Sequence, residues 1–255
     1  MDHLNQIIAI AEQAGQAILK VYQQDNAAFN ITGKADDSPL TAADLASHQL
    51  IVKALQQLTP DLPILSEEAA DISWDIRQTW SRYWLVDPLD GTKEFIKRNG
   101  EFTVNIALIE DGEPVMGVIH APVLHKTYYA AKGEGAFVKT EAGVTTAKVS
   151  KPGSVIRVVG SRSHPSPELA DYLEQFPKHD MVPVGSSLKF CLVAEGAADV
   201  YPRFGPTMQW DTGAGHIIAL EAGATVSFDG ICDKVYQREN LRNPGFIVSA
   251  LLYRH

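Results

Sequence analysis

The chain has 255 residues, of which 45 % are hydrophobic and 21 % are charged, and its 31 acidic residues against 22 Lys and Arg give a formal net charge of −9. This balance is typical of a folded globular protein, because a disordered chain has fewer apolar residues and a membrane protein has more. The acidic excess disfavours binding to a nucleic-acid polymer, since a surface that follows phosphates needs an excess of Lys and Arg. No run approaches the roughly 18 consecutive apolar residues of a membrane-spanning helix.

The cysteines and the first residues point to a reduced, cytoplasmic protein. Cys191 and Cys232 are too few for a disulfide framework, and the first residues lack the basic segment of a secretory signal. Neither cysteine has a neighbouring His in the sequence, so a thiolate nucleophile has little support. Five histidines have no metal-ligand spacing among themselves and are predicted to be structural: His48, His120, His125, His179 and His216.

The first part of the chain contains two predicted helices. Apolar residues recur at helical spacing over residues 4–24. Residues 30–39 are polar and are predicted to form a mobile loop. Thr41 is then typical of a helix N-cap, with Asp44 three residues on, and the second helix is predicted to end at Leu58.

Strands dominate the next part of the chain. A short strand is predicted at residues 64–65, and a buried strand at residues 83–86 is predicted to end at Asp87-Pro88. Three further apolar runs rich in β-formers are separated by turn residues and predict an antiparallel meander: 102–110, 115–120 and 127–131.

The pattern changes near residue 155, where strand-like and helix-like segments alternate as in a layered α/β unit. The predicted strands are 156–159 and 181–184, and the predicted helices are 168–175, 188–195 and a last one that ends at Glu221. Residues 141–154 are the expected boundary, which divides the chain into a half of residues 1–145 and a half of residues 146–255.

One segment carries most of the predicted chemistry. A buried strand delivers Asp87 at its carboxyl end, and Pro88 lacks the N–H that a neighbouring strand would accept. Asp90-Gly91 is typical of a turn. Thr92 then opens a short helix whose free N–H groups can face an anion.

This arrangement predicts a magnesium site. The carboxylates of Asp87 and Asp90 and the carbonyl of Leu89 can converge on one point, and hard oxygens of this kind suit Mg²⁺. The alternative is a strand–turn–helix corner in which Asp90 only caps the helix. An aspartyl-phosphate phosphatase is rejected, because its Asp-x-Asp-x-Thr pattern is one residue shorter than the Asp-x-x-Asp-x-Thr found here.

Two other acidic residues also lie at the end of a predicted strand or the start of a predicted helix. Glu67 follows the short strand and precedes a break, whereas Glu68 is better explained as a solvated loop residue. Asp211 lies at the mouth of the last helix, where an ordinary N-cap is the alternative. Three separate places therefore put a carboxylate at a strand end or a helix mouth, and the structural alternatives leave that recurrence unexplained.

Together, Asp87-Pro88-Leu89-Asp90-Gly91-Thr92, Glu67-Glu68 and Trp210-Asp211 resemble the inositol monophosphatase superfamily, whose members are Mg²⁺-dependent, lithium-sensitive phosphomonoesterases. The resemblance spans nearly the whole chain. Thr92-Lys93-Glu94-Phe95 and the segment 160–164 are most similar to the subgroup of CysQ-type 3′(2′),5′-bisphosphate nucleotidases. That subgroup removes the 3′-phosphate of adenosine 3′,5′-bisphosphate, a by-product of sulfate assimilation.

The resemblance implies a fold and a set of roles. It implies a mixed α/β, five-layer α-β-α-β-α sandwich with the active site between the two halves. Asp44 and Thr92 would orient and help to deprotonate a water, with Glu67 as a further catalytic carboxylate. Two or three Mg²⁺ ions would be held by Glu67, Asp87, the Leu89 carbonyl, Asp90 and Asp211.

A nucleotide with a second phosphate needs a second, cationic pocket. The candidates are Lys189 and Arg203, with Gly185-Ser186-Ser187 offering hydroxyls and N–H groups at a helix start and His164 meeting the base or ribose. The alternatives are a solvated helix lysine at Lys189 and a loop cap at His164. The complete set of predicted substrate contacts is Glu67, Leu89, Asp90, Gly91, Thr92, Ser161, His164, Gly185, Lys189, Arg203 and Asp211.

Two other functions stay open at this stage. One is hydrolysis of inositol 1-phosphate or another sugar phosphate, and the other is a non-catalytic regulator that binds metal and nucleotide. The expected partner is a small nucleotide bisphosphate, and the sequence leaves the oligomeric state open. The first helix is amphipathic but not notably basic, so any contact with the cytoplasmic face of the inner membrane would be peripheral.

Overall fold

The computed structural model describes residues 3–24, 31–33, 39–160 and 167–251. In these ranges the helices are α1 (Leu4–Tyr22), α2 (Ala42–Leu58), α3 (Trp74–Arg77), α4 (Thr92–Ile96), α5 (Pro167–Leu173), α6 (Leu188–Ala194) and α7 (Gln209–Glu221), with a 3-10 turn at Glu67–Ala69. The strands are β1 (Thr32–Gly33), β2 (Pro39–Leu40), β3 (Ile64–Ser66), β4 (Arg82–Asp90), β5 (Thr103–Glu110), β6 (Glu113–Ala121), β7 (Lys126–Ala131), β8 (Gly135–Thr140), β9 (Gly143–Ala147), β10 (Ile156–Gly160), β11 (His179–Pro183), β12 (Val200–Arg203), β13 (Thr225–Phe228) and β14 (Phe246–Ser249).

The first large sheet contains seven strands in chain order from β3 to β9. β3 runs parallel to β4, and every later pair is antiparallel, which confirms the predicted meander. α1 and α2 cover one face of this sheet and α7 covers the other. Strands covered on both faces are expected to carry continuous apolar runs rather than alternating residues, as β4 does at residues 83–86 and β5 at residues 106–109.

The second sheet has the order β11-β10-β12-β14-β13, in which β10 is parallel to β11 and β12. α5 connects β10 to its neighbour β11, whereas α6 leads back past β10 to β12. Right-handed connections that run in opposite directions place their helices on opposite faces of a sheet. α6 contacts α7 between the two sheets, and α5 therefore forms the outermost layer. The five-layer mixed α/β sandwich is confirmed.

The layers enclose two hydrophobic clusters, one on each face of the seven-stranded sheet. Trp84 belongs to the cluster under α1 and α2, and the next residue, Leu85, belongs to the cluster between the sheets. This alternation follows from the two-residue period of a strand. At Gly117 a Cβ atom would lie 2.6 Å from the Ala214 carbonyl oxygen. A glycine is therefore needed for α7, which carries Asp211, to lie directly on the sheet.

The structure corrects several predicted boundaries. In the predicted loop 30–39, Thr32–Gly33 and Pro39–Leu40 pair as a two-residue ladder. β4 does not end at Asp87 but continues to Asp90 after a register shift. The chain passes from the seven-stranded sheet to the second sheet between Ala147 and Ile156, and the division into residues 1–145 and 146–255 stays a prediction. Within the described ranges, no helix combines the length and apolarity needed to cross a bilayer.

The cysteines and two of the histidines lie in ordinary structural settings. Cys191 is buried and Cys232 is exposed, and both are free thiols. His120 hydrogen-bonds Thr127 at 2.9 Å, and His216 hydrogen-bonds the Tyr236 hydroxyl at 3.1 Å. Burial lowers the pKa of both imidazoles to about 4. These two histidines are therefore neutral in the folded protein near pH 7.

Candidate active site

The end of β4 presents two aspartates on one face of the sheet. Asp87 pairs with Asn105 on β5, and the ladder resumes with Asp90 opposite Thr103. Two residues of β4, Pro88 and Leu89, thus lie opposite one residue of β5, Val104, and Pro88 in this bulge cannot donate to the ladder. Without the bulge, side chains three residues apart would point to opposite faces. The bulge is what turns the Asp-x-x-Asp spacing into a pair of neighbouring carboxylates.

Gly91 turns the chain from β4 into α4. Its φ of 92° lies in the left-handed region, and a Cβ atom would lie 3.2 Å from both the Glu101 carbonyl oxygen and the Ser186 Cβ. A side chain at this position would therefore be strained. The turn releases Thr92, whose Oγ1 lies 3.3 Å from Asp44 Oδ1 and 3.4 Å from the Leu89 carbonyl oxygen.

Asp44 is held by the start of α2. Its Oδ2 accepts the Thr41 backbone N–H at 2.8 Å, and the Thr41 side chain caps the same helix turn in return. This capping box satisfies N–H groups that a helix start leaves without partners. Asp44 is 0 % exposed, and its other oxygen faces Thr92. The structure therefore brings the predicted pair Asp44 and Thr92 together.

Glu67 joins the aspartates from the neighbouring strand. β3 is parallel to β4 with Ser66 opposite Val86, so Glu67 emerges beside Asp87. Burial raises the pKa of Asp87 well above its usual range, and the charges of Glu67, Asp90 and Asp211 raise it further. The pKa of Asp211 is raised in the same way, first by burial and then by Asp90.

This donor set fits a hard divalent cation. Every side chain in the set offers oxygen. The raised pKa values of Asp87 and Asp211 indicate that the cationic groups of the protein do not balance the negative charge of these buried carboxylates. Across the part of the chain that the structure describes, no three His, Cys, Asp or Glu side chains already form a coordinating group. The carboxylates are neighbours that would draw together around an ion, as oxygen ligands of Mg²⁺ do.

Asp90 has partners that sequence reasoning missed. Its Oδ2 accepts the Ser187 backbone N–H and, at 3.4 Å, the Asn105 side-chain amide. The Ser187 hydroxyl lies 2.8 Å from Asn105 Oδ1 and 2.7 Å from the Thr103 hydroxyl. Burial raises the pKa of Asp90, while Lys189, the Ser187 N–H and the Asn105 amide act against that rise. The available signal was two polar residues, Thr103 and Asn105, within an otherwise apolar strand.

Asp211 reaches the site from the other half of the chain. It lies in the first turn of α7, where its Oδ2 accepts the Met208 backbone N–H at 2.8 Å. The helix-capping alternative is therefore real, but it uses only one oxygen. Asp211 also lines a cleft, together with Asp90.

The cleft encloses about 220 Å³, and the two cationic side chains predicted to bind a second phosphate, Lys189 and Arg203, both line it. Lys189 is only 8 % exposed, which excludes the solvated-lysine alternative. Its Nζ donates to the Ser186 carbonyl at 2.7 Å and lies 5.7 Å from the centre of the Tyr201 ring. Burial lowers the pKa of Lys189 to about 8, although Asp90 favours the charged form. Arg203 donates from Nη2 to the Pro206 carbonyl, and among the described residues its buried Nε has no hydrogen-bond partner.

The expectation that Gly185-Ser186-Ser187 offers free N–H groups to a phosphate is wrong at two of the three residues. The Gly185 N–H donates to Glu101 Oε2 at 2.9 Å, and the Ser187 N–H donates to Asp90. Both donors are thus already satisfied by carboxylates. Ser161 and His164 lie outside the described residues.

Comparison with known proteins identifies the family. The model of the inositol monophosphatase family matches residues 2–248, and the chain belongs to this family. It is 55 % identical to the 3′(2′),5′-bisphosphate nucleotidase CysQ of Salmonella typhimurium and 53 % identical to that of Escherichia coli K12, in each case over 96 % of this chain and 99 % of the relative.

A solved structure supports the same placement. The crystal structure of CysQ from Bacteroides thetaiotaomicron, described as a bacterial member of the inositol monophosphatase family, is 43 % identical to this chain with a TM-score of 0.84. The match covers 96 % of this chain and 97 % of the other. Members of the family are generally metal-dependent, in agreement with the carboxylate-rich site.

Proposed function

We propose that the protein is a phosphomonoesterase that hydrolyses adenosine 3′,5′-bisphosphate to AMP and phosphate in the cytoplasm, as part of sulfate assimilation. One observation carries the proposal: a single cleft is lined both by two carboxylates of the predicted cation site, Asp90 and Asp211, and by two cationic side chains, Lys189 and Arg203. The first group suits a cation that binds the reacting phosphate, and the second suits another phosphate of the same substrate. Relatives 55 % and 53 % identical are named 3′(2′),5′-bisphosphate nucleotidases, which supports this substrate class.

The cofactor we assign is Mg²⁺, as two or three ions. Oxygen-only donors favour Mg²⁺ over the softer metals that thiolates and imidazoles select. When bound, these ions would neutralise phosphate oxygens and make water a better nucleophile at neutral pH. The assigned ligands are Glu67, Asp87, the Leu89 carbonyl, Asp90 and Asp211. Li⁺, which is also a small hard cation, is expected to inhibit by competing for these oxygens.

Asp44 and Thr92 are assigned to the attacking water. Asp44 Oδ2 accepts the Thr41 N–H at 2.8 Å, and Asp44 Oδ1 accepts the Thr92 hydroxyl at 3.3 Å. A hydroxyl that donates its own proton to Asp44 keeps its lone pairs for a water proton. The water would give its proton to Thr92 Oγ1 while the Thr92 proton moves to Asp44, and Glu67 would orient the same water. The water oxygen would bond to phosphorus as the phosphorus–oxygen bond to the 3′ position breaks. The leaving 3′-oxygen would take a proton from a solvent water, and the products are the 3′-hydroxyl and inorganic phosphate.

Lys189 and Arg203 are assigned to the second phosphate. Arg203 has an N–H at Nε that no described residue satisfies, and a phosphate oxygen is the acceptor that suits a guanidinium best. Gly91 and Gly185 line the same cleft. A Cβ atom on Gly185 would lie 2.7 Å from Glu94 Cγ, so glycine keeps this wall of the cleft open. Ser161 and His164 stay assigned to the ribose or base.

The test is phosphate release from adenosine 3′,5′-bisphosphate and from inositol 1-phosphate, measured side by side. Each assay contains Mg²⁺, with and without Li⁺, and Asp90→Asn serves as the blank. Lithium-sensitive release from the nucleotide, with a preference that falls in Arg203→Ala, is the expected result. A preference for inositol phosphate would overturn the substrate assignment and keep the metal chemistry. Tight nucleotide binding without release would instead support a regulator.

A further inference from the structure

Asn105 closes a ring of hydrogen bonds around Asp90. Its amide nitrogen donates to Asp90 Oδ2 at 3.4 Å, and its amide oxygen accepts from the Ser187 hydroxyl at 2.8 Å. The Ser187 backbone N–H returns to the same Asp90 oxygen. The ring leaves no choice of orientation for the amide, because its oxygen would be repelled by the carboxylate.

Thr103 fixes the remaining atom of the ring. The Ser187 hydroxyl has a single proton, which it gives to Asn105 Oδ1. The Thr103 hydroxyl, 2.7 Å away, must therefore be the donor to Ser187 Oγ. Thr103, Asn105 and Ser187 are 0 %, 1 % and 3 % exposed, so water does not compete with these bonds. A buried network in which every member is satisfied holds its groups rigidly.

The ring ties the two halves of the site together. Asp90, Thr103 and Asn105 belong to the seven-stranded sheet, whereas Ser187 immediately precedes α6, which carries Lys189. Both N–H donors go to Asp90 Oδ2. The other carboxylate oxygen, Oδ1, is thereby left for a ligand in the cleft. The ring thus fixes the position of the Asp90 carboxylate relative to α6 and its Lys189 side chain.

We propose that Asn105 is a positioning residue for the cation site, which it controls by holding Asp90 between β5 and the start of α6. The inference rests on the proposed function, since it takes Asp90 as a cation ligand. Partners that hold a ligating carboxylate are usually worth about 10- to 100-fold in metal affinity or activity. Asn105→Ala removes both of its hydrogen bonds and should therefore weaken Mg²⁺ binding by about that factor.

The test is thermal unfolding of the full-length protein at increasing Mg²⁺, without substrate. The measured quantity is the half-saturating Mg²⁺ concentration, obtained by fitting the rise in Tm with Mg²⁺ to a stabilisation of RT ln(1 + [Mg²⁺]/Kd). We expect a rise of about 10- to 100-fold in Asn105→Ala and a smaller rise in Thr103→Val, which acts only through Ser187. The matched control is Thr127→Val, a buried threonine of the same sheet that bonds Glu12 and His120 instead. It should lower Tm and leave the half-saturating concentration unchanged.

The outcomes separate positioning from a merely structural role. If Asn105→Ala lowers Tm but keeps the wild-type half-saturation, as the control does, the proposal is overturned. If Asn105→Ala does not fold, Thr103→Val decides by the same criterion. Absence of any Mg²⁺ protection in the wild type would overturn it as well. Protection without phosphate release from adenosine 3′,5′-bisphosphate would refute the proposed function alone, because this measurement needs no substrate.

Discussion

Two buried aspartates of this protein have opposite surroundings. Asp199 is 0 % exposed and receives a cation from its own chain: Arg157 donates to both carboxylate oxygens, at 2.7 and 3.0 Å. Asp87 is 1 % exposed and is surrounded by other carboxylates, namely Glu67, Asp90 and Asp211. Burial of a charge is costly unless it is paired. A buried carboxylate with an internal partner stabilises the fold, whereas a group of them without one is a place for an external cation.

The largest effect should follow from removing a charge at the cation site. Asp87→Asn keeps the size of the side chain and the bond from the Leu89 N–H, but removes a carboxylate ligand. Phosphate release should fall by more than about 100-fold, since outer partners of a ligand alone are worth about 10- to 100-fold. Without metal, the variant should unfold at the wild-type Tm or above it, because a repulsion is removed. A sharp fall in the metal-free Tm of Asp87→Asn would contradict the claim that Asp87, unlike Asp199, has no stabilising partner within the protein.

The same substitution at the other aspartate should do the reverse. Asp199→Asn leaves the Arg157 guanidinium without its partner, and breaking a fully buried ion pair costs about 3–5 kcal/mol. Because Arg157 is 34 % exposed, we expect a loss of about 2 kcal/mol in the free energy of unfolding. Denaturant unfolding measures this loss. Mg²⁺ protection should keep its wild-type concentration dependence, and a change there would mean that Asp199 is not merely structural.

The pH dependence of metal stabilisation should be the smallest of these effects. The pKa of Asp87 and of Asp211 is raised in the folded state, so the metal-free protein holds extra protons and loses stability as the pH rises above the usual carboxyl value of 3.8. Mg²⁺ replaces those protons. The gain in stability at saturating Mg²⁺ should therefore grow with pH, by up to about 1.4 kcal/mol per pH unit for each proton displaced.

The buried histidines change the stability with pH in the opposite direction, and their contribution must be separated from that of the carboxylates. Because burial lowers the pKa of His120 and His216 to about 4, the folded protein loses stability as the pH falls from 6.5 towards 4. This contribution is the same with and without metal, and it cancels when the two melting curves at each pH are subtracted. A Mg²⁺ effect that stayed constant or shrank with rising pH would contradict the assigned carboxylate group.

Short-range features of the site could be predicted from the sequence. Thr41 and Asp44 are three residues apart, and the capping box follows from helix geometry alone. The Asp-Pro and Asp-Gly pairs are also local signals: they mark Asp87 and Asp90, although β4 continues past Asp87 to Asp90. The meander of β5 to β7 was predictable because each pair is joined by a short turn.

The remaining features depend on contacts between distant parts of the chain. The bulge at Pro88 brings Asp87 and Asp90 to one face, but only the register with β5 shows it. The Ser187 N–H was expected to face a phosphate, and it instead bonds Asp90, which lies 97 residues earlier in the chain. Neither periodicity nor a motif reveals that partnership. Asn105 was missed for the same reason.

The most direct test of the account is a calorimetric titration of Mg²⁺ into the metal-free protein, its Asp87→Asn variant and its Asp199→Asn variant. Mg²⁺ should bind the wild type and Asp199→Asn alike, and displace protons from both. Asp87→Asn should bind far more weakly. Equal binding in Asp87→Asn, or no binding in the wild type, would contradict the claim that these carboxylates are gathered for an external cation.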